Sequence, residues 1–144
     1  MPGCAPSKLS PGATCQTLGV VIHDRILIVD DEADVLRVTA RVLRRSGAVV
    51  DVATSAMEAL KLIDSGLEYS CILTDYKMPG ISGVELILML PPTLQQRCVM
   101  ITASVASEVP THRLPSGIRV LHKPVDMSQL REAIAEAGDR RVST

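Results

Sequence analysis

The sequence predicts an α/β fold in which five parallel strands form one doubly wound sheet with five surrounding helices, the fourth short or irregular. Two observations support this prediction. Apolar runs of strand length alternate along the chain with segments of helical period. The first of these runs is continuously apolar, as a strand buried on both faces is, and the helical segments supply the crossovers that parallel strands need.

The 144 residues suffice for one domain with its own core. Residues 1–24 are rich in Pro, Gly, Ser, Thr and Cys and have no sustained period, so we expect a flexible tail or linker there. The folded domain is expected over residues 25–138, followed by a short C-terminal tail over residues 139–144.

The first strand and helix have clear signals. Residues 25–29 are apolar after Arg25 and lead to Asp30-Asp31, as a buried strand would. A helix is predicted over residues 33–46, where Gly47 can end it. Its apolar stripe consists of Val35, Leu36, Val42 and Leu43.

A second strand, residues 48–53, leads to Thr54-Ser55, which can cap a helix that continues to Gly66. The apolar stripe of that helix consists of Met57, Leu60 and Ile63. The third strand, residues 71–74, delivers Asp75 at its carboxyl end.

The remaining elements are, in order, helix 83–90, strand 98–101, strand 119–122 and helix 128–137. Pro91-Pro92 cut the first of these. Between the last two strands, Pro110 and Pro115 leave room for little more than one or two helical turns.

The composition argues against several classes of function. The formal net charge is −1, so no broad electrostatic surface for nucleic acid or anionic lipid is expected. With two Tyr and no Phe or Trp, the chain also has few side chains on which bases stack. We therefore expect partners to be recognised through a local surface, without direct binding to nucleic acid or membrane.

The cysteines and apolar runs favour a soluble, cytoplasmic protein. Cys4, Cys15, Cys71 and Cys98 have no CxxC spacing and no nearby histidine pair, which argues against a zinc site and a disulfide scaffold. The apolar stretch 18–22 is far too short to span a bilayer.

Four of the five predicted strands end in a reactive group: Asp30-Asp31, Asp75, Thr102 and Lys123. In a doubly wound sheet such groups gather at the carboxyl ends of the strands. Crowded carboxylates repel one another, and a hard divalent cation such as Mg²⁺ removes that conflict. The cation also neutralises an approaching phosphoryl group.

The other two groups complete a cradle for phosphate. The hydroxyl of Thr102 can donate a hydrogen bond to one phosphoryl oxygen, and the ammonium of Lys123 supplies a charge for another. Asp75 is the best nucleophile, because it lies in a strand-to-loop turn facing the cradle and a carboxylate that attacks phosphorus forms an acyl phosphate.

The sequence resembles the receiver domains of two-component response regulators over roughly residues 24–138. The resemblance rests on four motifs in the family order: ILIVDDE with the pair Asp30-Asp31, LTDYKMPGISG with Asp75, Thr102-Ala103 after VMI, and Lys123-Pro124. It implies a flavodoxin-like fold and a phosphoacceptor that catalyses only its own phosphorylation and dephosphorylation.

Carried over by position, the resemblance implies a role for each site residue. Asp75 would be the phosphoacceptor, and Thr102 and Lys123 would contact the phosphoryl group. Mg²⁺ or Mn²⁺ would be the cofactor. Its ligands would be Asp31, Asp75 and the backbone carbonyl of Lys77, with Asp30 acting through the metal's water shell.

The resemblance also implies partners. The phosphoryl donor would be a sensor histidine kinase or a histidine phosphotransfer protein, and the output would pass to a downstream protein target. We expect either a stand-alone regulator or the receiver piece of a hybrid histidine kinase. Two departures affect the output: Val120 stands where the family usually has an aromatic residue, and prolines interrupt the fourth helix.

Three alternatives are less favoured. A haloacid-dehalogenase-like phosphatase needs a second Asp two residues after the nucleophile, where this chain has Lys77. A flavin carrier needs a phosphate loop after the first strand, where Asp30-Asp31-Glu32 would repel phosphate. A pseudo-receiver, which signals without phosphate, would typically lack Asp75 or Lys123.

Overall fold

The computed structural model describes residues 25–143, so the tail predicted over residues 1–24 lies outside the described residues. One sheet of five parallel strands forms the centre of the domain, in the order β2-β1-β3-β4-β5. The strands are β1 (Arg25–Val29), β2 (Val49–Ala53), β3 (Cys71–Asp75), β4 (Cys98–Thr102) and β5 (Arg119–His122). Within the described residues the α-helices are α1 (Ala33–Arg45), α2 (Ala56–Asp64), α3 (Gly83–Leu88), α4 (Pro92–Gln95) and α5 (Met127–Ser143).

This strand order confirms the predicted doubly wound sheet. From β1 the chain moves outward to β2 and then crosses back to β3 on the other side of β1. The order therefore reverses between β1 and β3, and the carboxyl ends of these strands border the crevice where such folds bind ligands.

The core consists of one apolar layer on each face of the sheet. Alternate residues of β1 enter different layers, with Ile26 and Ile28 in one and Leu27 and Val29 in the other. The first layer includes buried residues of α1 and α5, and the second includes those of α2 and α3. This two-sided burial explains why β1 is continuously apolar.

Helix α3 begins with a capping box, in which Glu85 N–H donates to the Ser82 hydroxyl and the Glu85 carboxylate accepts from Ser82 N–H. The predicted interruption by Pro91-Pro92 is confirmed, although α3 already ends at Leu88. Pro92 occupies the first turn of α4, where its missing N–H costs nothing.

The connection between β4 and β5 contains only two 3₁₀ turns, Ala106–Glu108 and Thr111–Arg113. This agrees with the prediction that Pro110 and Pro115 leave room for little more than one or two helical turns in this connection. The short turns leave loop residues, rather than a helix, beside the end of β4.

Two sequence predictions about the helices were wrong. Met57 is 56% exposed, because α2 packs on the sheet through the small side chains of Ala56 and Ala59. Helix α5 does not end at Ala137 but continues through Ser143. Gly138 weakens a helix without being enough to end this one.

The two cysteines within the described residues are buried in strands, as predicted, and neither forms a disulfide. Burial raises the pKa of the Cys98 thiol to about 12. Cys4 and Cys15 lie outside the described residues. No helix in residues 25–143 has the length and apolarity needed to cross a membrane.

Two leucines on α3 provide a matched test of this core. Leu86 is 0% exposed and Leu88 is 39% exposed. We expect Leu86→Ala to lower the free energy of unfolding by about 2–5 kcal/mol, because it leaves a cavity. Leu88→Ala should cost less than about 1 kcal/mol. Urea unfolding followed by circular dichroism measures both, and equal losses would contradict the assigned packing of α3.

Candidate functional site

The predicted site residues lie together at the carboxyl edge of the sheet. Asp30 directly follows β1, Asp75 ends β3, Thr102 ends β4, and Lys123 directly follows β5. One surface pocket is lined by Asp31, Glu32, Asp75, Lys77, Thr102, Ala103, Ser104, Glu108 and Lys123. Asp30 is buried and forms an ion pair with Lys123, which lines this pocket.

The three aspartates form a compact acidic group. Asp30, Asp31 and Asp75 each offer a carboxylate oxygen, and these oxygens all lie within 4.8 Å of one another. Asp30 and Asp75 are buried, whereas Asp31 is exposed. Oxygen ligands in a partly open cluster suit Mg²⁺ or Mn²⁺, which keep some of their water.

The carboxyl group of Asp75 lies in an environment that disfavours its charge. Burial raises the pKa of Asp75, and the nearby carboxylate of Asp30 raises it further, to about 6. The ammonium of Lys123 and the backbone N–H of Tyr76, which donates to Asp75 Oδ1 at 2.8 Å, oppose this shift. Asp75 therefore gains from any additional positive charge.

Lys123 is the cation that holds this edge together. Its Nζ lies 2.9 Å from Asp30 Oδ2, 3.6 Å from Asp75 Oδ2 and 3.7 Å from Glu32 Oε1. Burial lowers the pKa of Lys123, but the hydrogen bond to Asp30 and the charge of Asp75 raise it by more. The side chain consequently remains an ammonium ion at neutral pH.

Thr102 is fully buried and joins the ends of two strands. Its Oγ1 accepts a hydrogen bond from Ser104 N–H at 2.9 Å. Its carbonyl oxygen accepts a hydrogen bond from Lys123 N–H at 2.9 Å. A threonine hydroxyl that accepts one hydrogen bond keeps its own proton for a further hydrogen bond.

The turn after Asp75 depends on two glycines, Gly80 and Gly83. Gly80 has a φ of +81°, a conformation that favours glycine. Gly83 N–H donates to the carbonyl of Tyr76 at 2.8 Å. A Cβ on Gly83 would overlap the backbone carbonyl oxygen of Asp75. The start of α3 therefore fits directly against the backbone that presents Asp75.

Two further carboxylates in the pocket, Glu32 and Glu108, were also not predicted. Glu32 directly follows the aspartate pair in the ILIVDDE motif, so its position close to the site could have been predicted from the sequence. Glu108 lies in the β4–β5 connection, where no motif or periodicity pointed to a site residue. Glu108 Oε1 is 3.9 Å from Nζ of Lys77. The metal contact of the Lys77 backbone carbonyl stays a prediction.

The sequence model of the protein family described as the response regulator receiver domain matches residues 26–135 of the chain. The chain belongs to the response regulator receiver family. An uncharacterized response regulatory protein of Vibrio cholerae is 33% identical over 110 residues, which cover 75% of this chain and 46% of that protein. The receiver domain thus spans less than half of that relative.

Solved receiver structures have the same fold. A receiver domain protein from Clostridium thermocellum superposes with a TM-score of 0.74 at 26% identity, covering 83% of this chain and 98% of that one. The response regulator TrrA of Thermotoga maritima, solved in complex with Mg(2+)-BeF, gives a TM-score of 0.68 at 27% identity. That alignment covers 79% of this chain and 98% of TrrA.

Gly83→Ala tests the contact between α3 and Asp75. We expect it to lower the free energy of unfolding by about 1–3 kcal/mol and to weaken Mg²⁺ binding, because the Asp75 carbonyl must move. Gly66→Ala is the control, since Gly66 has a φ of +95° and no atom within 4 Å of an added Cβ. It should cost about 1–2 kcal/mol through backbone strain alone and leave Mg²⁺ binding unchanged. Unaltered Mg²⁺ binding in Gly83→Ala would refute the expected effect on the site.

Proposed function

We propose that this receiver domain accepts a phosphoryl group on Asp75, with Mg²⁺ or Mn²⁺ as cofactor, from a sensor histidine kinase or a histidine phosphotransfer protein. The observation that carries the proposal is the shared pocket of Asp75, Thr102 and Lys123, next to two further aspartates within 4.8 Å. Phosphorylation would act on a downstream protein target through protein–protein contacts.

The arrangement of contacts favours Asp75 over Asp30 as the acceptor. Both oxygens of Asp30 are engaged, Oδ1 by Glu32 N–H and Oδ2 by Lys123 Nζ, each at 2.9 Å. Asp75 Oδ1 accepts from Tyr76 N–H, but Oδ2 is 3.6 Å from the ammonium, beyond a hydrogen bond. That oxygen is therefore better placed to attack phosphorus.

In the proposed reaction a bond forms between Asp75 Oδ2 and phosphorus as the bond between the donor histidine nitrogen and phosphorus breaks. Asp31, Asp75 and the carbonyl of Lys77 would hold the metal, and Asp30 would contact its water shell. A bound divalent ion would supply positive charge to the phosphoryl oxygens. Lys123 and the Thr102 hydroxyl would bind two of these oxygens and hold the group in line with Asp75.

The protein would catalyse only its own phosphorylation and dephosphorylation. Lys77 stands two residues after Asp75 and cannot act as the carboxylic general acid that steady phosphatase turnover needs. Retention of both Asp75 and Lys123 also argues against a pseudo-receiver. The similarity to TrrA, solved with Mg(2+)-BeF, supports a magnesium-dependent site.

The setting and output of the domain are part of the proposal. A histidine kinase that phosphorylates it would act in the cytoplasm, which is the location we propose. Both a stand-alone regulator and the receiver of a hybrid kinase fit the chain. Val120 is half-buried against the apolar layer that includes Met100 and Val109, so it fills with aliphatic bulk the place that is usually aromatic in the family.

Phosphorylation of Asp75 can be measured directly. Incubation with acetyl phosphate and Mg²⁺ should add one acid-stable, base-labile phosphoryl group, visible by intact mass spectrometry. Asp75→Asn should show no adduct, because the amide is a poor nucleophile. Asp64→Asn, an exposed control on α2, should be phosphorylated like the wild type. No adduct on the wild type, or an equal adduct on Asp75→Asn, would refute the proposal.

Metal binding is tested at the exposed aspartate. Excess Mg²⁺ should raise the melting temperature of the wild type, because an ion that binds only the folded state stabilises it. Asp31→Asn should weaken Mg²⁺ binding by about tenfold or more and reduce this shift. Asp34→Asn removes another exposed carboxylate, which forms an ion pair with Arg37, and it should retain the full shift. Identical shifts in both variants would exclude Asp31 as a ligand.

A further inference from the structure

Two charged side chains, those of Lys77 and Glu108, lie at the mouth of the surface pocket that contains Asp75, Thr102 and Lys123. Neither side chain has a role in the reaction proposed above. Lys77 Nζ and Glu108 Oε1 approach to 3.9 Å, joining the β3–α3 loop to the β4–β5 connection. Both residues line the pocket that contains Asp75 and Lys123. Their side chains are 71% and 54% exposed, so they face the solvent from which a phosphodonor arrives.

The fold fixes the side of the pocket on which Glu108 lies. Glu108 N–H donates to the carbonyl of Val105 at 2.9 Å, which closes the first 3₁₀ turn. The next residue, Val109, is 4% exposed and packs in the core layer of α2 and α3. The turn is thus anchored at its end, and from it the exposed carboxylate of Glu108 lies 3.9 Å from the ammonium of Lys77.

The charges around the pocket are unbalanced. Its lining contains two ammonium groups, Lys77 and Lys123, and four carboxylates, Asp31, Glu32, Asp75 and Glu108. Before a divalent cation binds, the lining is therefore net negative, and each exposed charge at the entrance affects the approach of an anionic phosphodonor. Of the two lysines in this lining, Lys123 pairs with buried carboxylates, whereas Lys77 forms its ion pair with the exposed Glu108.

We propose that Lys77 and Glu108 form a charge pair that sets how readily small anionic phosphodonors enter the pocket. This inference rests on the proposed function of Asp75. Glu108 holds the Lys77 ammonium at the mouth and adds a repelling charge, which disfavours reaction with free acyl phosphates. A donor protein can overcome this barrier with contacts elsewhere, so the pair favours protein donors over small molecules.

A charge effect of this kind predicts opposite responses to two nearly isosteric substitutions. Glu108→Gln removes the repelling carboxylate and releases Lys77, so the rate of phosphorylation by acetyl phosphate should rise by about two- to fivefold at low salt. Lys77→Gln leaves Glu108 unpaired, so the same rate should fall by a similar factor. Both changes should shrink in high salt, because the groups are exposed.

The affinity for a cation should move in the other direction. Glu108→Gln should weaken Mg²⁺ binding and Lys77→Gln should strengthen it, each by a few fold at most, as measured by titration followed with tyrosine fluorescence. Damage to the folding of either loop would instead reduce both phosphorylation and Mg²⁺ binding. The two readouts together separate an electrostatic role from a structural one.

Three control proteins complete the experiment. The exchanged pair, Lys77→Glu with Glu108→Lys, should return the acetyl phosphate rate toward the wild-type value. Glu68→Gln and Lys61→Gln change the net charge by the same amounts at exposed positions next to the start of β3 and in the last turn of α2. These two variants should react like the wild type.

The outcomes distinguish this inference from the function on which it rests. Failure of the wild type to form any adduct on Asp75 would overturn both. A normal adduct on the wild type, with rates in Glu108→Gln and Lys77→Gln that are unchanged or move in the same direction, would overturn the charge pair alone. Opposite, salt-sensitive changes with intact controls would support it.

Discussion

The contact between the Lys123 ammonium and the buried carboxylates of Asp30 and Asp75 is the interaction on which this edge of the sheet depends. It joins the end of β5 to the ends of β1 and β3, across 93 residues of sequence in the case of Asp30. Charges this well buried are costly unless they are paired, so loss of the ammonium would leave two buried carboxylates uncompensated. The packing of the sheet and the assembly of the site therefore share one ion pair.

Much of the fold was predictable because its signals are local. Apolar runs such as residues 25–29 gave the strands, and the topology of a parallel sheet then placed their polar ends together. The exposure of Met57 was not predictable, because two alanines on α2 let the helix lie close to the sheet, and only the packed structure shows this. The end of α5 was missed for a similar reason, since a glycine after Ala137 weakens a helix without fixing its end.

The residues of the candidate site also fall into those that the sequence predicts and those that only the structure reveals. Residues at strand ends could be assigned from the sequence, and Asp75, Thr102 and Lys123 do line one pocket. Glu108 could not be assigned, because its position depends on how a 3₁₀ turn in a proline-containing connection packs through Val109. The contact of Gly83 with Asp75 could not be predicted either, although the missing Cβ of Gly83 is what allows α3 to begin against the Asp75 carbonyl. Contacts between loops depend on the tertiary structure, and no periodicity encodes them.

The raised pKa of Asp75 shows that Lys123 compensates only part of the negative charge in this site. Its pKa in the folded domain is about 6, above the value of an exposed aspartate, so the folded state binds this proton more tightly than the unfolded chain does. The corresponding stability is fully present at pH values below the pKa of the unfolded chain and is lost as the pH rises through about 6. At neutral pH the ionised group thus works against folding, and Lys123 relieves only part of that cost. A divalent cation would relieve the remainder, and the positive charge it brings is what a phosphoryl group needs in order to approach the carboxylate. The features that make the acidic cluster unfavourable by itself are therefore consistent with the proposed binding of a cation and then of a phosphoryl group.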